Sequence, residues 1–143
     1  MQDINAVNTY LKLHEDYFLQ ADIDILRGKL LNCSDSKWNS VRLVNLKSPF
    51  TLLLISLSAG ILGVDRFMLD KKGSGVLKLL VCQLGIFAGI ACFFLFLSEI
   101  SGWGTFCLIW FVVAEIWWLV DVCMSVKWTK EYNYKLVVRV LNI

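Results

Sequence analysis

Leu79–Ser98, LLVCQLGIFAGIACFFLFLS, is a run of 20 residues without a single charge, and its reading decides the fold. A bilayer's hydrocarbon core is crossed by a helix of about 20 apolar residues, so this segment alone meets the length. Two neighbours extend the pattern. Phe50–Val64 and Ile100–Ala114 are also uncharged. The first is short for a span unless it runs on to Leu69, and the last reaches full length if it continues from Trp103 to Val126 with Glu115 and Asp121 inside it. Composition agrees: 57% of the 143 residues are apolar and only 18% are charged, where soluble domains carry about a quarter. So much apolar surface calls for a non-aqueous solvent. The expected fold is an all-α membrane protein, a bundle of three hydrophobic helices with a short helical cytoplasmic N-terminal region and an amphipathic C-terminal tail. The corresponding divisions are residues 1–47, 48–126 and 127–143.

The net charge is +2, with charges gathered at the two ends and in one loop. No basic field broad enough for nucleic acid is present. Met1–Leu13 lacks the basic start and apolar run of a secretory signal, so the N-terminal region is expected to stay in the cytoplasm. Within it Ile4, Val7 and Leu11 share one helical face, as do Ile23, Leu26 and Leu30 on a second segment. Ser34, Asp35 and Ser36 can cap a third helix that presents Trp38 and Val41. Forty-seven residues bury little core alone, so this region leans on the membrane, the tail or another subunit. It is either a docking surface or a solvated cap.

Ser48 and Pro49 suit the start of the first membrane helix, serine as a cap and proline at the first helical position. Gly60 and Gly63 weaken that helix near its end, and Lys71–Gly75 reads as a flexible basic loop. A second helix is expected from about Gly75, a turn at Ser101, Gly102 and Gly104, and a third helix ending by Lys127. In the tail, Trp128, Tyr132, Leu136 and Val140 lie near one face and suit an interfacial helix. Trp103 and Trp128, 25 residues apart, fit opposite interfaces. Trp110 and Trp117 lie deeper, as packing residues or as a ligand cage. Three spanning helices would put Lys71, Lys72 and Lys78 opposite the N-terminus, against the positive-inside tendency. A re-entrant first helix would leave the N-terminus, that loop and the tail together in the cytoplasm.

Asp65, Arg66, Lys78, Glu115 and Asp121 lie in or at the ends of the apolar segments. Each costs about 2.5–3.5 kcal/mol in hydrocarbon unless paired, hydrated or near the interface. They form either a structural network of ion pairs or a polar site or ion path. Small residues mark close helix contacts, Ser56, Gly60 and Gly63 on the first helix and Gly85 with Gly89 on the second, within the chain or between chains. Of the five cysteines, Cys82, Cys92, Cys107 and Cys123 fall in apolar helices without metal-ligand spacing, which points to reduced packing thiols and no metal. His14, the one histidine, has no nucleophile beside it, and no phosphate loop is present. No catalytic residue and no cofactor are expected.

Lys47-Ser48-Pro49, Gly60-Ile61-Leu62-Gly63-Val64-Asp65-Arg66-Phe67-Met68-Leu69, then Gly75 with Leu79-Leu80, and finally Ile116-Trp117-Trp118-Leu119-Val120-Asp121 together resemble the two-transmembrane (TM-two) domain family. Its pattern is Gly-x-x-Gly-x-(His/Asp)-Arg-Phe-Tyr-Leu-Gly followed by Ile-Trp-x-x-x-Asp. Met68 stands where tyrosine is usual and Asp70 where glycine is usual. Leu80 and Ile116 are separated by 35 residues, more than the family's usual linker. The resemblance implies a structural or signalling hinge at Asp65, Arg66 and Phe67, with Asp121 as partner of Arg66. It implies no catalytic activity, since members are small bacterial membrane proteins, with animal relatives linked to receptor-like signalling and peptide binding. A multi-pass protein of the bacterial inner membrane follows, with the lipid bilayer and either further copies or a membrane-protein partner as its contacts. The expected role is a non-enzymatic assembly or interaction module, and the alternative an oligomeric ion-conducting pore or membrane-disrupting effector.

Overall fold

The computed structural model describes the backbone of residues 3–97 and 101–142, and the side chains of these except 95–97, 101–104, 106 and 107. Trp103, assigned above to an interface, and Cys107 therefore lie outside the described side chains. Among the described residues every regular element is helical. Seven α-helices follow in order: α1 Ile4–Leu13, α2 Gln20–Leu31, α3 Asp35–Arg42, α4 Pro49–Ala59, α5 Val64–Met68, α6 Lys72–Leu97 and α7 Ser101–Asn142. The chain divides into two compact units, residues 1–52 with 126–143, and residues 53–125.

The first unit is built as a soluble core is built. Asp3 caps α1 by accepting from the Asn5 amide at 3.0 Å, and α1 buries Val7 and Leu11 while Ile4 stays exposed. From α2 come Ile23, Leu26 and Leu30, and from α3 come Trp38 and Val41. These surround Phe18 and meet Val137 and Leu141 of α7 in one cluster. The tail is thus a core element of this unit. Its buried face is Thr129, Asn133, Val137 and Leu141, one position on from the expected Trp128, Tyr132, Leu136 and Val140, which are only partly buried. Asn133, fully buried, fixes the connection into α4: its Oδ1 accepts from the Lys47 amide at 2.9 Å, and its Nδ2 donates to the Lys47 and Tyr17 carbonyls at 2.8 and 3.1 Å.

The second unit inverts that arrangement. Its large side chains point outward, with Leu77, Leu80, Leu84, Phe87, Ile90 and Phe93 of α6 between about half and two-thirds exposed, while Ser56, Asp65, Lys78, Asp121 and Ser125 are buried. Two helices, over Lys72–Phe94 and Leu108–Asn142, are long and apolar enough to cross a membrane, and only 17% of the apolar stretch within each is buried. A core helix of a soluble protein is mostly covered, so the exposed apolar surface, together with length, makes these two candidate membrane spans. The third hydrophobic segment, Pro49–Leu62, is shorter.

Two expected boundaries move. The helix α7 passes Lys127 without a break and continues to Asn142, because no glycine or proline stands between Thr105 and Asn142 to stop it. Ser101, Gly102 and Gly104, expected as a turn, are helical. Likewise α6 begins at Lys72, so most of the expected Lys71–Gly75 loop is helix. Its first turn is anchored by the Gly75 amide and the Ser74 hydroxyl, both donating to the Lys71 carbonyl at 2.9 and 3.1 Å.

Candidate functional site: a buried charge cluster

Between α4 and α6 the chain makes two tight reversals. The first turns on Gly63 at φ 70°, the left-handed region that disfavours a side chain. A Cβ there would also stand 2.7 Å from the Gly75 carbonyl oxygen. The second reversal ends α5. The Asp70 amide donates to the Phe67 carbonyl at 3.1 Å and the Lys71 amide to the Arg66 carbonyl at 3.0 Å, the paired bonds of a helix stop whose penultimate residue is left-handed. That residue is Asp70, at φ 57°. The usual glycine is thus replaced by aspartate at the position where glycine has its conformational reason, and aspartate is one of the few other residues that tolerate it. Gly75 completes the fit, for a Cβ would stand 3.2 Å from the Phe67 ring.

These reversals aim Asp65 and Arg66 inward. Arg66 donates through Nε to Oδ2 of Asp121 at 3.0 Å and through Nη2 to Oδ1, a two-pronged pair. Lys78 reaches both acids, with Nζ 3.0 and 3.1 Å from the Asp65 oxygens and 2.7 Å from Oδ2 of Asp121. The Ser56 hydroxyl donates to Asp65 Oδ2 at 3.4 Å, and Trp118 Nε1 to the Ser56 carbonyl at 3.2 Å. Two positive and two negative charges cancel. The Lys78 side chain is 0% exposed, Asp121 1% and Arg66 14%, so the cluster is dry at its centre. Buried charges of this kind persist only when paired and hydrogen-bonded.

Small residues set the frame around the cluster. A Cβ on Gly85 would overlap that of Ala114, and one on Gly89 would stand 2.8 Å from the Phe111 ring. Together with Lys78–Asp121, these contacts pair α6 and α7 antiparallel. Gly60 lies beside Trp118, whose Nε1 would be 3.3 Å from an added Cβ. The expected small-residue faces therefore all work within this unit.

Of the residues singled out from sequence, Asp65, Arg66, Lys78 and Asp121 are brought together and Phe67 lies against Gly75. Glu115 stands apart and makes no hydrogen bond or ion pair with the described residues. Trp128 is partly buried in the first unit. Two members of the site were missed: Ser56, read as packing alone, and Trp118, whose bond to the Ser56 carbonyl no spacing announces. Trp110 Nε1 is buried without a partner among the described residues.

Elsewhere the first unit holds an open cavity of about 650 Å³ lined partly by Lys29, Cys33, Lys37 and Leu141. Lys37 already donates to the Leu141 carbonyl at 2.7 Å, and burial pushes the Cys33 thiol up, away from the reactive thiolate. No three metal-ligating side chains converge among the described residues.

No curated protein and no solved structure matches the chain. The family model of the TM2 domain matches residues 45–97, which contain α4, the Asp65-Arg66-Phe67 run and α6. The Ile116–Asp121 segment, compared above with the family's last helix, lies outside that match. α7 and its Asp121 are added after the matched residues, and Asp121 completes the charge balance that Asp65, Arg66 and Lys78 leave open. Over residues 45–97 the chain carries a TM2 domain.

Proposed function

We propose that this small membrane protein is a non-enzymatic assembly module, joining further copies of itself or a membrane-protein partner through its hydrophobic bundle. The inverted burial of the second unit carries the reading: its charges are turned on one another and its apolar side chains face outward. A neutralised cluster holds a hairpin rigid, and the free outer surface is what remains to be recognised. The pore alternative draws on Asp65, Lys78 and Asp121 as wet lining residues, and their pairing and burial favour the assembly reading.

A topology accompanies this proposal. The α6/α7 register, with Lys78 against Asp121 and Gly85 against Ala114, puts the start of α6 at the Ser125 end of this unit. Gly60 reaches only the level of Trp118, and Arg66 returns to the level of Asp121. This supports a re-entrant α4–α5 and two crossing helices, with the N-terminus, Lys71, Lys72 and the basic tail all cytoplasmic, as the positive-inside tendency prefers.

Cross-linking of the full-length chain in native membranes tests the role. Species larger than one chain, made of copies or of the chain with a second membrane protein, are expected. A single chain alone, both after cross-linking and after detergent-free extraction in lipid nanodiscs, would overturn it.

A further inference from the structure

We propose that Glu115 is the recognition point for a basic side chain on a second transmembrane helix, a proposal that rests on the assembly reading above. Asp65, Arg66, Lys78 and Asp121 neutralise one another in the second unit. Glu115 is left without a hydrogen bond or ion pair among the described residues. It sits twelve positions before Lys127, about 18 Å along the helix, which is deep within a hydrocarbon core of about 30 Å. A carboxyl group at that depth is costly without a partner.

Its surroundings have the form of a helix-docking surface. Leu108, Phe111, Glu115, Leu119 and Val122 follow one another at steps of three, four, four and three, the seam along which a second helix packs. Leu108, Phe111 and Leu119 are 52%, 37% and 53% exposed. Phe111 also rests against Gly89, and Glu115 and Val122 are half-buried, so the seam runs along the edge of the α6/α7 contact, open at Leu108 and Leu119 and interrupted by one acid. A second seam of α7, about a third of a turn away and running through Ile109, Val113, Ile116 and Val120, is exposed too but carries no polar group.

Charge decides the occupant. The sequence has no basic residue between Lys78 and Lys127, and Lys78 is fully buried against two carboxylates. A second copy of this chain accordingly offers no cation at the depth of Glu115, and a symmetric pair would set acid against acid. The complementary partner is a different helix, apolar around one mid-membrane lysine or arginine.

The test uses the full-length chain, donor-labelled, in phosphatidylcholine vesicles, with acceptor-labelled leucine-rich transmembrane peptides. One peptide carries a central arginine, and the other is leucine throughout. Energy transfer to the arginine peptide is expected to be at least tenfold tighter in apparent affinity, to fall to the leucine level with Glu115→Leu, and to be partly kept with Glu115→Asp. Because Glu115 bonds to nothing described, Glu115→Leu should unfold at a temperature no lower than the parent's, which separates lost recognition from lost folding. Equal transfer to both peptides, transfer that survives Glu115→Leu, or a homodimer that Glu115→Leu dissolves would each overturn the proposal. Native cross-links that persist alongside such a result would leave the assembly reading standing and sink only the role of Glu115.

Discussion

The two compact units of this chain solve the burial problem in opposite ways. In residues 1–52 with 126–143, the interior is Val7, Leu11, Phe18, Leu26, Leu30, Val41 and Val137, and one buried amide, Asn133, holds the loop into α4. In residues 53–125 the interior holds Asp65, Lys78 and Asp121 beside a few apolar groups, Leu69, Cys82 and Ala114, while most leucines and phenylalanines face outward. The same helix, α7, serves both: its buried residues recur every fourth position, Asp121 and Ser125 in the one unit and Thr129, Asn133, Val137 and Leu141 in the other. The comparison teaches that solvent, not helix propensity, dictates which residues turn inward. Where the outside is lipid, apolar surface gains little from burial, and specific polar pairs and close backbone contact give the bundle its shape.

The largest effect is expected from breaking the charge balance. Lys78→Met leaves two facing carboxylates without their shared cation, and removing one member of a buried pair costs about 3–5 kcal/mol. The variant should fail to accumulate or should melt far below the parent in detergent. Arg66→Ala and Asp121→Ala should each destabilise, and together should cost less than their sum by about 0.5–3 kcal/mol. Additive losses in denaturant titrations would show that the two do not act as a pair.

Next comes the first unit, where Asn133→Leu removes three hydrogen bonds and leaves the Lys47 amide and two carbonyls unmet. At about 1–3 kcal/mol for an unsatisfied buried group, the variant should lower the unfolding midpoint. Hydrogen exchange at Lys47 should rise while the 53–125 segment keeps its protection. Equal loss of protection in both segments would erase the distinction between the units.

A smaller effect is expected at Gly63. Gly63→Ala meets both a left-handed backbone and the Gly75 carbonyl, and strain of this kind costs about 1–3 kcal/mol. The smallest is at Asp70, where Asp70→Gly should change stability by less than about 1 kcal/mol while Asp70→Val costs about 1–2 kcal/mol more. If valine and glycine are equally tolerated, the left-handed stop after α5 is not a constraint on this fold.

Much of the second unit was legible in the sequence because lipid-embedded charges and glycines are rare and so conspicuous. Asp65, Arg66, Lys78 and Asp121 stand out against an uncharged background, and the spacing of Gly85 and Gly89 marks a face before any contact is known. What sequence did not disclose was continuity. Lys127 looked like the end of a span, yet a charge at an interface does not stop a helix, and the absence of glycine or proline beyond Gly104 was the signal that mattered. The Lys71–Gly75 stretch misled for the converse reason: two glycines suggested a loop, but Gly75 is small because Gly63 and Phe67 approach it closely on a helix, while Gly73 faces open space. The tail's buried face was misjudged by one position because its aromatic residues were weighted above Thr129 and Asn133, polar groups whose burial depends on partners in a distant part of the chain.

The most direct measurement is sidedness. With the five native cysteines replaced by alanine, Lys72→Cys, Ile100→Cys and Lys130→Cys would each be probed with a membrane-impermeant maleimide in sealed, oriented vesicles. A hairpin of two crossing helices predicts that positions 72 and 130 label from one side and position 100 from the other. Labelling of positions 72 and 130 from opposite sides would contradict it.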